Sequence, residues 1–267
     1  LTTGPRTLKF EETFSDYIGC RHAIGLNSCT AGLHLALAVK GFVANDEVIT
    51  TTMTFPATAN AIIHAGLRPV FVDIEAGTLN MDVSLIEEKI TPRTRAIIPV
   101  HFAGHPCDMD PIMELASKKK LVVIEDAAHA LETKYKNRKI GNLGNPTAFS
   151  FYANKNITTG EGGMLVLNDD FIADEIRILR LHGISRDAWK RYGKSGFSHW
   201  ELHSAGFKYN MSDINSAIGI HQLKKIDRFL TLRKKYTALY DLAFNQIPEL
   251  ETLQTREYAE SSHHLYV

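Results

Sequence analysis

This chain has little net charge, few cysteines and no long apolar run. Thirty Lys and Arg balance thirty Asp and Glu across 267 residues. It therefore carries no electrostatic footprint for nucleic acid or an anionic membrane, and any binding has to be local. Three cysteines, Cys20, Cys29 and Cys107, are odd in number and widely spaced. That argues against a disulfide framework and for a reducing compartment, with the cytoplasm as the expected location. No window approaches the run of about eighteen apolar residues that a membrane-spanning helix needs. The opening "LTTGPRTLKF" resembles neither a signal peptide nor a transit peptide. It also lacks a starting Met, and the final "SSHHLYV" reads like the first half of a strand, so the protein is expected to extend beyond one or both ends. Internal repeats and low-complexity segments are missing as well.

What is present is a composition of 44% hydrophobic and 22% charged residues, enough for a sizeable core in one large domain or a large domain plus part of another. Short β-branched runs, "EVITTTM" (47–53), "RPVFVDI" (68–74), "RAIIPVHF" (95–102) and "LVVIEDAA" (121–128), alternate with helix candidates. Several runs are apolar on both faces, which suits strands covered above and below. The helix candidates are "TAGLHLALAV" (30–39), "PATANAIIHAG" (56–66), "DVSLIEEKI" (82–90) and "MDPIMELASKKK" (109–120). Strands at 147–152 and 163–169 follow, then a helix over 171–183 and one long helical stretch over 211–244, with Pro248 as a break after it. The βα rhythm predicts an α/β fold with a mixed, mostly parallel sheet flanked by helices.

In such sheets, function sits where strands end and helices begin. Three junctions carry polar groups. Ser28, Cys29 and Thr30 stand directly before a helix, where hydroxyls and free backbone N–H groups can converge on an anion; taken alone, the stretch reads first as an ordinary N-cap. In "LVVIEDAAHA" four apolar residues deliver Glu125 and Asp126 to the edge of a buried strand, where a carboxylate needs a partner or caps the next helix. The third stretch, "SFYANKNITTGEGG", puts Ser150 in a strand and Lys155 in the loop beyond it. A lysine there serves solvent, a phosphate or covalent chemistry. Together the three describe a ligand with a phosphate, a protonated ring nitrogen and an aldehyde, and pyridoxal 5'-phosphate is that molecule.

The stretches "EDAAHA", "FSFYANKNITTGEGGMLVLND", "TFPATANAIIHAGLRPVFVDI" and "GFKYNMSDINSAIGIHQLKKID" resemble the DegT/DnrJ-type sugar-nucleotide aminotransferases, a branch of the fold type I pyridoxal-phosphate enzymes. The likeness runs nearly end to end, and its closest flavour is that of enzymes making UDP-4-amino-4-deoxy-arabinose or similar 4-amino sugars. It implies a cytoplasmic homodimer with a shared active site. It further implies transfer of an amino group, usually from L-glutamate, to a nucleotide-linked keto-sugar for polysaccharide or lipopolysaccharide biosynthesis. It also implies a large domain over 1–235 and, over 236–267, the start of a smaller C-terminal domain that is only partly present. Carried over by position, Lys155 is the Schiff-base lysine and Asp126 the partner of the ring nitrogen. Ser28, Cys29, Thr30 and Ser150 surround the phosphate, with Cys29 where many members have glycine. Phe55 stacks on the ring or packs in the core. His129 stands where many members carry glutamine, beside the ring, or is structural. Lys208 and Asn210 replace the Asn and Arg of "GYNYR", one of them reaching the partner subunit's phosphate.

Other patterns carry less. His101, His105 and Cys107 lack a second ligand pair, so no metal site is expected. "GEGG" leads into a strand, so it is no dinucleotide fingerprint, and its glycines are expected to let the backbone pass close to the cofactor. "LKKIDRFLTLRKK" reads as a solvated helix face. "HGISRDAWKRYGKSGFSHW" (182–200) reads as either a substrate loop or a surface loop. Two rival functions are another pyridoxal-phosphate reaction on a nucleotide sugar, such as a dehydration whose enzymes replace the lysine by histidine, and a non-catalytic regulatory member. Lys155 speaks against the first, and Lys155 with Asp126 against the second.

Overall fold

The computed structural model describes residues 2–184 and 201–267. Helix α1 (Pro5–Ile18) opens on a proline at its first turn and closes on Gly19, whose φ of 84° places it in the left-handed region that glycine adopts without strain. Its Phe10, Phe14 and Ile18, spaced four apart, are all buried. Strand β1 (His22–Leu26) and helix α2 (Cys29–Ala38) follow, then β2 (Glu47–Thr51), α3 (Pro56–His64) and β3 (Arg68–Val72). Next come β4 (Thr94–Ile98), α4 (Met109–Lys119), β5 (Val122–Val123) and β6 (Glu125–Asp126). A small hairpin of β7 (Lys134–Tyr135) and β8 (Arg138–Lys139) precedes β9 (Thr147–Ser150) and β10 (Gly163–Leu167). Helices α5 (Asp170–Leu179), α6 (Asp213–Leu223) and α7 (Ile226–Phe244) and strand β11 (Ala259–Glu260) complete the order.

The sheet is mixed and mostly parallel, as the βα rhythm predicts. One half runs β3-β2-β4-β5 and the other β6-β9-β10-β1. All pairs in the first half and β6 with β9 are parallel, whereas β10 is antiparallel to both its neighbours. The halves join through residues 124–127, whose N–H groups donate alternately to the two sides. Ile124 and Asp126 bond the carbonyls of Ile97 and Pro99, while Glu125 and Ala127 bond those of Pro146 and Ala148. Asp126 is thus held from both flanks at the centre of the layer.

Alternation along the strands sends side chains into two cores. Ile49, Ile97, Phe149, Met164 and Val166 join Phe10 and Phe14 of α1 on one face. Val48, Ile98, Ala148, Leu165 and Leu167 join Leu33, Leu35 and Leu37 of α2 on the other.

Two expected helices differ. Residues 82–90 form a pair of 3-10 turns, Val83–Leu85 and Glu87–Lys89. Asp82 accepts from both the N–H and the hydroxyl of Ser84, a local alternative to helical bonding. The stretch over 211–244 is broken at Lys225 (φ −104°, ψ −1°), which separates α6 from α7. The domain boundary expected after residue 235 falls inside α7. Beyond α7 the chain returns to the β7–β8 hairpin, where β11 pairs with β7 to make a three-stranded sheet in the order β11-β7-β8. Among the described residues, no helix is long and apolar enough to cross a membrane.

Candidate active site

Asp126 ends β6 with 4% of its surface exposed. Burial pushes its pKa up, and hydrogen bonds from Thr58 and the Ala128 N–H oppose that rise. The Thr58 hydroxyl donates to Oδ2 at 2.8 Å and the Ala128 N–H to Oδ1 at 3.1 Å. Among the described residues, the groups within hydrogen-bond distance of the Asp126 carboxylate are the Thr58 hydroxyl, the Ala128 N–H and the more distant Cys29 thiol, none of them a cation. On the same strand Glu125 points to the opposite side of the layer, where His101 Nε2 lies 3.0 Å from its Oε2 and Asn145 donates to its Oε1 at 2.8 Å. The Cys107 N–H donates to His101 Nδ1 at 3.1 Å, so the proton of a neutral ring sits on Nε2 and faces Glu125.

Lys155 lies in the loop between β9 and β10, half-buried. Burial lowers its pKa, and the nearby Cys29 and Asp126 raise it. A larger share of neutral amine follows, which is the nucleophilic form. The loop is braced on several sides. Asn156 donates to Glu132, and its Oδ1 lies 2.6 Å from His264 Nδ1. Asn215 of α6 donates to the carbonyls of Thr159 and Glu161, each at 2.8 Å. Ser150 pairs with Gly163 across the strands, and its hydroxyl accepts from the Tyr152 N–H at 3.3 Å.

The start of α2 completes the ring of junctions. Ser28 is the N-cap and accepts from the Ala31 N–H at 3.1 Å. Cys29 is buried, its sulfur 3.4 Å from the Ala148 carbonyl and 3.9 Å from Asp126 Oδ1. Burial raises its pKa, as does Asp126, while Lys155 lowers it, so this one side chain registers both Asp126 and Lys155. Thr30 follows in the first turn, partly exposed. Gly163 lies against protein backbone: a Cβ there would lie 2.3 Å from the Ser28 carbonyl carbon. That glycine lets β10 pass against the backbone of the α2 N-terminus.

Phe55, the N-cap of α3, is 77% exposed, so core packing is excluded for it. His129 Nδ1 is a buried nitrogen without a hydrogen-bond partner. Burial, then the charge of Lys155, push its pKa down to about 4. Lys208 and Asn210 lie together, Nζ donating to Oδ1 at 2.7 Å, and Asn210 also donates to Thr2 and Thr3. Most of the 182–200 stretch lies outside the described residues.

Sequence reasoning did not single out Thr58, His264 or the buried His101–Glu125 pair. Thr58 was within reach, three residues after Phe55 in "FPAT". His264 was not, because it meets His129 only through the return of the chain after α7. His101, His105 and Cys107, weighed as metal ligands, each hydrogen-bond within their own surroundings.

SpsC, a spore coat polysaccharide biosynthesis protein of Bacillus subtilis, is 50% identical over 267 residues, covering 100% of this chain and 69% of that protein. GDP-perosamine synthase of Caulobacter vibrioides is 44% identical over 240 residues, covering 90% of this chain and 62% of that enzyme. Spr1654 of Streptococcus pneumoniae, solved in its PMP form, superposes with a TM-score of 0.91 at 36% identity, covering 100% of this chain and 70% of that one. It has also been solved in a PLP form. The family match extends over residues 1–267, and the chain belongs to the DegT/DnrJ/EryC1/StrS aminotransferase family.

Proposed function

We propose that this chain transfers an amino group from an amino acid, L-glutamate, to a keto-sugar carried on a nucleotide, in polysaccharide or lipopolysaccharide biosynthesis. Pyridoxal 5'-phosphate is its cofactor. The observation that carries the residue assignment is the buried Asp126 carboxylate at the end of β6, held by the Thr58 hydroxyl and the Ala128 N–H and 3.9 Å from the Cys29 sulfur at the start of α2, with the charge of Lys155 felt by the same Cys29.

The residues present fit this group. Asp126 is a buried carboxylate whose hydrogen-bonding neighbours are neutral, the setting in which a protonated ring nitrogen is bound strongly. His129 presents a buried nitrogen that still lacks a partner. When bound, the cofactor supplies an aldehyde that links to amines and a ring that takes up the electron pair left when a Cα proton departs.

In this reading Lys155 Nζ would hold the cofactor's aldehyde end and would carry the proton at the substrate Cα. Asp126 holds the ring nitrogen protonated. Ser28, Thr30, Ser150 and the Cys29 backbone hold the phosphate at the start of α2, where free N–H groups and the helix dipole favour an anion. Phe55 covers one ring face, and His129 lies beside the ring. Lys208 or Asn210 reaches the phosphate of a second subunit in a cytoplasmic homodimer. The 77% exposed Phe55 supports such a cover, since a large apolar side chain gains by burial.

The test is the near-visible absorbance of the protein with pyridoxal phosphate, before and after L-glutamate. Appearance of the lysine-linked band and its conversion to the amino form of the cofactor is the expected result. A band that ignores glutamate overturns the donor, and no band at all overturns the cofactor assignment.

A further inference from the structure

Asp126 has two candidate side-chain donors, and distance separates them. The Cys29 sulfur is 3.9 Å from Oδ1 but 3.4 Å from the Ala148 carbonyl, so its proton points to the backbone. The Thr58 hydroxyl is 2.8 Å from Oδ2 and 3.4 Å from the Phe55 carbonyl. The shorter, charged acceptor takes that proton. Thr58 Oγ1 also lies 2.7 Å from Thr54 Oγ1. Because the one Thr58 proton is committed to Asp126, Thr54 has to be the donor to Thr58. The result is a directed chain, Thr54 to Thr58 to Asp126, running from the partly exposed start of α3 to the buried end of β6.

We propose that Thr58 is the positioning residue for Asp126. Its hydroxyl fixes the plane of the carboxylate and keeps it ionised, and Thr54 fixes the direction of that hydroxyl. The geometry leaves each Asp126 oxygen with one donor, Thr58 on Oδ2 and the Ala128 N–H on Oδ1, and a carboxylate oxygen has room for another. That spare capacity is what a ring N–H would use. Thr58 itself is fully buried, so its hydroxyl has no water to turn to. This inference rests on the reading of Asp126 as the partner of a ring nitrogen.

The titratable groups around Asp126 are Cys29 on α2, Lys155 in the loop after β9 and His101 after β4. None of them is altered by a change at Thr58. Removing the Thr58 donor makes ionised Asp126 less favourable, so Asp126 takes up a proton at higher pH. Affinity for a cofactor with a protonated ring nitrogen then begins to fail at higher pH too.

The experiment measures equilibrium binding of pyridoxal phosphate against pH to the wild-type chain, Thr58→Val and Thr58→Ser. It is repeated with an analogue whose ring nitrogen is replaced by carbon. Valine matches the shape of threonine and serine keeps the hydroxyl. Thr58→Val is expected to move the acid-side loss of affinity upward by about one pH unit, and to weaken binding there roughly tenfold or more. Thr58→Ser is expected to restore the wild-type profile, and the carbon analogue to bind all three proteins alike. A Thr58→Val profile that overlays the wild type overturns the proposal. So does an equal loss for the carbon analogue, which would mark a purely structural role. Failure of the wild-type protein to bind pyridoxal phosphate overturns the cofactor assignment itself, and this inference with it.

Discussion

The imidazoles of His129 and His264 stack with centroids 4.3 Å apart and planes 27° from parallel. His129 follows the strand that carries Asp126, and His264 lies in the segment that returns after α7. The Ser262 hydroxyl secures that segment by donating to the His129 carbonyl at 2.7 Å. Burial pushes His129 down to about 4 and His264 down to about 3, each from an ordinary 6.5. Two neutral rings stack without the repulsion that two imidazolium ions would bring.

Both histidines are therefore expected to stay neutral down to about pH 4. The unfolded chain binds their protons below 6.5, so the stability they contribute is complete above that value. It is lost as the pH falls through about 4 and then about 3. Histidine NMR against pH checks this: neither ring should titrate between pH 8 and pH 5, and His264→Ala should move His129 up toward 6.5 by uncovering it. Ordinary titration of His129 in the intact chain would refute the stacked neutral pair.

Lys155→Ala is expected to abolish turnover and the lysine-linked absorbance band while leaving the fold intact. The loop stays braced through Asn156 and Asn215, which do not depend on the lysine side chain. Steady-state rates with thermal unfolding as a control decide it, and normal activity would remove Lys155 from its role.

For Asp126→Asn the expected outcome is a fall in rate by several orders of magnitude with phosphate anchoring intact. The amide keeps the size of the carboxylate and loses its charge. Rate measurements alongside cofactor retention separate the two effects, and a near wild-type rate would assign the ring nitrogen to another group.

Gly163→Ala tests the close pass of β10 over the start of α2. The added Cβ would meet the backbone of Ser28 and Cys29 at 2.3 to 2.5 Å, and backbone cannot rotate away as a side chain can. A loss of about 1–3 kcal/mol in chemical denaturation is expected, together with weaker cofactor binding because the phosphate residues shift. Unchanged stability would mean that the two segments separate freely.

Much of this protein was legible in its residues because the signals were local. The β-branched runs marked β2, β3 and β4, and the alternation of runs with helical periodicity predicted the mostly parallel sheet. The polar groups at strand ends point to Asp126, Lys155 and Ser28 from the residues alone, because a buried strand that ends on an acid or a lysine is costly without a use for it. Periodicity failed where competing local bonds won, as at Asp82, and where a long helical pattern broke at Lys225. Helix α1 has local signals of its own, since Pro5 and Gly19 bracket it and Phe10, Phe14 and Ile18 share one face.

The sequence by itself determined which groups are available, their order along the chain and the family to which they belong. Only the tertiary structure decided how they meet. Thr58 reaches Asp126 across 68 positions, and His264 covers His129 from 135 positions away along the numbering. Phe55 stands in solvent, which its apolar character would not suggest. The physical reason is that periodicity and capping act over a few neighbouring residues, whereas a carboxylate's ionisation, a ring's neutrality and a donor's direction depend on what packs against them from distant parts of the chain.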